Sequence, residues 1–300
     1  MEQVPCGYAT EGQGVTPLAA ALEAGSMREQ ELDVSLSKLG NAHAVAKALE
    51  GGDILFGNLA APGLVDAVGH GADLVFLAGG VNQQFLVGQP GQSLGDIAGE
   101  PLGASQPADL TDFLVQLTMA RVLKARGEVR FVGASRARLE ALQEGTIAAT
   151  PLSPPHAIVA RHAGFPWLYD YGEMGLNFAI GGIAASRKLV RDRPELVESF
   201  LRGYLDGQRR YKQDNEFGIW VHERYGEVSR AVAEETYDVT HDGFRDVPDP
   251  ATKGMGLLIE FWKANGTLPQ SFEVANVVES NPVLSVCAAR ASEGGPNDGR

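Results

Sequence analysis

Apolar and polar positions follow two rhythms over the first 185 residues. Residues 32–39 alternate Leu, Val, Leu and Leu with Asp, Ser, Ser and Lys, a period of two that predicts a half-buried strand. Short apolar runs at 4–9, 53–57, 74–78 and 84–87 predict further strands. Helical spacing between them predicts helices over 17–24, 42–50 and 62–68. A second cycle follows, with strands at 100–104, 129–132 and 147–150. Its helices fall at 110–125, 136–143 and from Ser153 onward. Strands alternating with helices predict an α/β fold with a mostly parallel sheet. From Lys188 the pattern turns helical. Arg193-Pro194-Glu195 puts a proline and an acid in a first turn, and apolar positions recur at Leu196, Phe200, Leu201 and Tyr204. Helices are expected at 216–225, 227–237 and 252–265, and residues 286–300, small and polar from Ala288, read as a disordered tail.

The two cycles resemble each other without a gap. Lys38-Leu39-Gly40-Asn41-Ala42 sits against Phe131-Val132-Gly133-Ala134-Ser135, and residues 48–54 sit against 141–147. Asn58 to Pro62 sits against Pro151 to Pro155 at the same shift. Two lobes of similar design are therefore expected. Four strand-to-helix junctions carry capping or proline signals: Thr16-Pro17, Asn58 to Pro62, Ser105 to Asp112, and Ser153-Pro154. Ligands of open α/β sheets bind beyond the carboxyl ends of strands, where helix N-termini offer free N–H groups. Two such junctions in each half predict one shared cleft.

Composition narrows the function. Hydrophobic residues make up 44% and charged residues 21%, enough apolar material for two cores. A net charge of −13 disfavours nucleic acid and anionic membrane surfaces as partners. Residues 88–182 hold seven Lys and Arg against nine Asp and Glu, so most of the acidity lies in the rest of the chain. No run of 18 apolar residues predicts a membrane span. The opening MEQVPCGYAT has neither a basic nor an apolar signal region, which places the chain as written in the cytoplasm, or in the periplasm or on the cell surface if it is truncated or processed. Cys6 and Cys287 form no metal or disulfide spacing and read as free thiols.

Catalytic signatures are weak. Gly12-Gln13-Gly14 lacks the third glycine of a dinucleotide loop, and no phosphate-loop motif occurs. Gly103-Ala104-Ser105-Gln106-Pro107 matches a nucleophile elbow in its first three positions only. The six histidines form no metal-binding pair, so neither a metal nor a cofactor is expected. His43 and His156 flank cleft loops, and Glu11 lies in the first glycine-bearing loop, where it can meet an amine or ring N–H. The aromatic cluster Phe165 to Tyr171 serves either as packing beneath an interlobe strand or as a stacking surface for a ligand ring.

These features together resemble the nitrate/sulfonate/taurine-type substrate-binding proteins of ABC importers, grouped with the thiamine-pyrimidine synthase-like proteins. The resemblance runs from about residue 4 to 284. It is carried by Gly7-Tyr8-Ala9-Thr10 through Ala24-Gly25, Ala48-Leu49-Glu50-Gly51-Gly52-Asp53-Ile54, and Ser93-Leu94-Gly95-Asp96-Ile97-Ala98-Gly99. Residues 142–147 followed by Ser153-Pro154-Pro155, and Arg193-Pro194-Glu195-Leu196-Val197, complete it. The cysteine-rich motif of the eukaryotic pyrimidine synthases is missing from the sequence.

The resemblance implies a two-lobe type 2 periplasmic-binding-protein-like fold, α/β, with mixed sheets flanked by helices and a ligand cleft between lobes. Lobe one would span 1–87 and 183–285, and lobe two, inserted, 88–182. Hinges would lie near Val87-Gly88 and Ile180-Gly181-Gly182. Ligand contacts would fall on Thr10, Glu11, Asn58, Ala60, Ser105, Thr111 and Ser153, with His156 beside them. The implied function is capture of a small sulfonate, pyrimidine or aromatic acid by hinge closure, as a monomer serving an ABC permease. The alternative is a cytoplasmic decarboxylase or pyrimidine-precursor synthase on the same fold, with Glu11, His43 and His156 as acid/base candidates.

Overall fold

The computed structural model describes residues 1–10, 12–80, 83–174 and 182–293. Its strands form two five-stranded sheets. The first contains β1 (Glu2–Tyr8), β2 (Leu32–Lys38), β3 (Phe56–Leu59), β4 (Leu74–Ala78) and β10 (Gly182–Ser186), in the order β2-β1-β3-β10-β4. The second contains β5 (Phe85–Gly88), β6 (Leu102–Ala104), β7 (Val129–Phe131), β8 (Ala149–Leu152) and β9 (Trp167–Asp170), in the order β7-β6-β8-β5-β9. Each sheet has the same plan. Three neighbouring strands run parallel, and the fourth position is antiparallel to both its neighbours. That odd strand is β10 in the first sheet and β5 in the second, so each is supplied from beyond a chain crossing. A mixed sheet in two lobes results, because a strand arriving from the other lobe enters in the reverse direction.

The sequence repeat has a backbone counterpart. Gly40 and Gly133 occupy equivalent positions with φ of 92° and 99°. Gly52 and Gly145 do the same with 77° and 69°. Left-handed backbone at these four turns is cheap only for glycine. The first pair turns outer strands β2 and β7 into the helices Ala42–Gly51 and Ser135–Gln143; the second pair ends those helices. Strands β3 and β8 then follow at residues 56–59 and 149–152, a few residues later than the expected 53–57 and 147–150. In both halves the residues after the glycine complete the turn, and pairing with β1 or β6 fixes where the strand begins.

Four further expectations are corrected. The segment 84–87, assigned to lobe one, is β5 of the second sheet, so the first crossing lies between Ala78 and Phe85 and not at Val87-Gly88. Gly182 opens β10 of the first sheet, while Ile180 and Gly181 lie outside the described residues. The helix expected at 110–125 ends at Leu117 and continues as a wider π turn over Thr118–Leu123. There the buried Thr118 hydroxyl donates to the Leu114 carbonyl and lies 2.6 Å from the Tyr171 hydroxyl. Finally, 286–293 is helix, part of Asn281–Glu293, because Val283 and Val286 are one turn apart and bury against β4 and the helix Pro194–Gln213. Residues 294–300 lie outside the described residues.

The helix Pro194–Gln213 backs the first sheet. Phe200 stacks on Phe56 of β3 at 3.9 Å between ring centres. Gly207 lets the same helix touch Thr16–Glu23, since a Cβ there would stand 2.2 Å from the Ala21 Cα. This packing fixes the first helix, and with it the loop that enters the cleft.

Candidate functional site

The carboxyl ends of the parallel strands in both sheets open onto one cavity of about 180 Å³. Its wall contains Thr10, Asn58, Ala60, Ser105, Thr111 and Ser153, six of the eight residues expected to contact ligand. Glu11 lies outside the described residues. His156 opens the short helix His156–His162 and is half-buried, but it is not in the wall. His43 is not in the wall either. Its Nδ1 is 2.9 Å from Nε2 of Gln106, a wall residue of the opposite lobe, and its Nε2 is 3.4 Å from an Asp66 carboxylate oxygen. A ring proton on Nε2 faces Asp66 and leaves Nδ1 to accept from the Gln106 amide. His43 therefore bridges the lobes at the cavity's edge.

Helix N-termini build much of the wall, and only some of the expected capping residues act as caps. Thr16 is buried and makes no cap; the preceding turn over Gln13–Val15 faces the cavity instead. Asp109 caps the helix Leu110–Leu117, its Oδ1 accepting from the Thr111 and Asp112 N–H groups and the Thr111 hydroxyl. Thr111 Oγ1 also accepts from the Ser105 N–H at 2.8 Å, which ties the strand end to the helix. Asn41 caps Ala42–Gly51 through the Ala44 N–H. The helices Ala61–Gly69 and Ser135–Gln143 have no side-chain cap, so their first-turn N–H groups have none of that satisfaction at the cavity edge. Such groups, with the helix dipole behind them, favour a ligand's acceptor atoms.

Several wall residues were not among the expected ligand contacts: Gln13, Asn41, Gln84, Gln106, Asp109, Ser135 and Arg138, although Gln106 and Asp109 lie in the junction expected at the cleft. Asn41 and Ser135 follow the two aligned glycines, so the repeat held a signal for them. Arg138 had none, because an arginine in a polar helix reads as a solvated charge. It is 4% exposed. Its guanidinium donates to the Gly133 carbonyl at 2.8 Å, to Ser135 Oγ at 3.2 Å and to the Pro151 carbonyl at 3.4 Å. Burial lowers its pKa to about 10, partly offset by the charge of Asp109. Burial likewise raises the Asp109 pKa, against its hydrogen bonds and Arg138.

The aromatic cluster is packing. Trp167 stacks on Phe85 at 3.8 Å, donates its indole N–H to the Ala157 carbonyl, and carries Arg161 over its outer face. Among the described wall residues none is aromatic, and Leu59 and Leu110 supply the aliphatic surface. No group of three or more His, Cys, Asp or Glu suited to a metal ion occurs among the described residues, and no described helix is long and apolar enough to cross a membrane.

Further contacts join the lobes. The Gln13 N–H donates to the Pro154 carbonyl at 3.4 Å. On one side Glu235, from the helix Arg230–Thr240, contacts Arg161 and lies 2.7 Å from His162 Nε2.

Two mixed sheets of one plan, joined by two crossing connections and enclosing one cavity at their strand ends, define a two-lobe fold of the periplasmic-binding type. The chain belongs to the NMT1/THI5-like family, whose model matches residues 13–215. The fold is shared with the ligand-binding component of an ABC-type import system from Staphylococcus aureus, at 14% identity and a TM-score of 0.80, over 95% of this chain and 99% of that one. It is shared with the periplasmic nitrate-binding protein NrtA of Synechocystis, at 12% identity and 0.79, over 96% and 88%. The periplasmic aliphatic sulphonate-binding protein SsuA of Escherichia coli matches at 15% identity and 0.74, over 93% and 92%. No curated protein matches the sequence.

Proposed function

We propose that this protein is a solute-binding protein that captures a small polar organic molecule between its lobes and presents it to an ABC permease. The observation that carries this reading is one cavity walled by strand ends and helix N-termini of both lobes. Thr10, Asn58, Ser105, Thr111 and Ser153, with uncapped N–H groups, hold the solute's polar atoms, and Leu59 and Leu110 cover its body. Closure turns about the two crossings between the sheets, and the His43–Gln106 and Glu235 contacts meet in the closed form. Neighbours whose names place them in the periplasm or in an import system favour a periplasmic location.

A thermal-shift screen over sulfonates, pyrimidines, aromatic acids and amines tests this. At least one class should raise the melting temperature in proportion to the logarithm of its concentration, and mass spectrometry should recover it unchanged. Conversion of the hit would show an enzyme; no shift in any class would sink the proposal.

A further inference from the structure

Two of the contacts between the lobes contain a histidine, and they belong to different core clusters. His43 is on the helix whose apolar side joins the cluster of Val45 and Phe113. His162 ends the helix His156–His162, whose apolar side joins the cluster of Leu142 and Ala157. Against that helix lies Arg230–Thr240, which follows β10 and so reaches across from the first lobe. Val239 packs on the second lobe's cluster. Glu235 is one helical turn earlier and faces the same way. Its Oε2 lies 2.7 Å from His162 Nε2. Its other oxygen meets the Arg161 guanidinium, which is itself stacked on Trp167 at 4.0 Å. Gly226 sits over Pro155 beside them, where a Cβ would stand 3.3 Å from the proline ring.

The two partners of Glu235 differ in one respect. A guanidinium is charged at every pH a protein meets, and an ordinary carboxylate is ionised above about pH 5. An imidazole gains its charge between about pH 8 and pH 5. The His162 ring is half-exposed, so solvent protons reach it. The charged groups around it are Glu235 and, three residues along the same helix, Asp238, with Arg161 on its own helix. Glu234 is turned to Arg230 at 2.8 Å. Two carboxylates against one guanidinium favour a second positive charge. Neutral His162 gives Glu235 an ordinary hydrogen bond, and protonated His162 gives it a charge-assisted one. That gain exists only while the lobes are together, so protonation and closure favour each other. His43 lacks this sense. A proton on its Nδ1 removes the acceptor that faces the Gln106 amide, and its charge partner Asp66 lies in its own lobe.

We propose that Glu235, Arg161 and His162 form a pH-sensitive latch, with Arg161 holding the lobes together at every pH and His162 tightening the closed form in acid. This rests on the reading of the two lobes as a closing pair. It is tested without solute, so its outcome is separate from that of the solute screen.

Single-molecule energy transfer on the full chain tests the proposal. Dyes on Lys47→Cys and Arg136→Cys, in a Cys287→Ser background, occupy exposed positions on helices that reach the cavity from opposite lobes. The closed-to-open ratio should rise about two- to fivefold from pH 8 to pH 5.5. His162→Gln should remove the rise, and His162→Arg should hold the acid value at both pH values. Glu235→Gln should lower the ratio and flatten its pH dependence together. His43→Gln should leave the rise in place. A ratio in the unsubstituted protein that does not change with pH overturns the proposal. A rise that survives His162→Gln, or that disappears in His43→Gln instead, overturns it as well.

Discussion

His222 is a buried imidazole with a measurable consequence. Burial holds its pKa at about 3, far below the ordinary 6.5, and the Tyr211 hydroxyl 2.9 Å from Nε2 suits the neutral ring. Above pH 6.5 neither folded nor unfolded chain protonates this residue, and its neutral burial has no pH cost. As pH falls from 6.5 toward 3, the unfolded chain takes up a proton that the folded chain refuses, so stability declines. Between pH 7 and pH 5 the loss should be about 2 kcal/mol. Urea unfolding at the two pH values measures it, and His222→Gln should flatten the difference. Cysteine chemistry follows the same logic. Cys6 is buried with its thiol pushed up to about 12, and Cys287 is half-buried and raised. Alkylation at pH 8 should therefore reach Cys6 only on unfolding, and reach Cys287 more slowly than it reaches a free thiol. Mass spectrometry of the labelled chain under native and denaturing conditions checks this.

Elements depend on a few small residues. Gly207→Ala puts a methyl group into the main chain of the first helix, which cannot swing aside as a side chain can. The cost should be roughly 1–3 kcal/mol in chemical unfolding. Asn41→Ala removes the cap on the Ala44 N–H and should cost about 1 kcal/mol. Much at this scale was legible. Period-two alternation marked β2, proline and glycine marked helix ends, and the repeat predicted paired elements. The failures have local causes. The Thr118 hydroxyl and the partner Tyr171, distant in sequence, widen a helix whose apolar spacing reads as continuous. The end of the C-terminal helix looks like a tail because the sequence from Ala288 onward is small and polar. Only contact with the first sheet shows that Val283 and Val286 are core.

For the whole molecule, closure is the property to measure. Glu235 joins Arg161 and His162 between the lobes, and these side chains are partly exposed. A pair of this kind contributes at most about 1 kcal/mol. Glu235→Gln should therefore weaken ligand binding by up to about fivefold while leaving the melting temperature of the free protein nearly unchanged. Small-angle scattering should show a larger radius of gyration for the free variant if the contact favours the closed form.

The order of elements and the two-fold plan follow from the sequence, because periodicity, glycine turns and proline starts act over a few residues. The lobe to which β5 belongs was decided by tertiary structure, because an apolar run pairs with whichever sheet edge it reaches. So was the role of Arg138. A charged residue on a polar helix is ordinarily solvated; here the turn at Gly133 and the end of β8 enclose it and take its N–H groups, contacts that no local pattern describes.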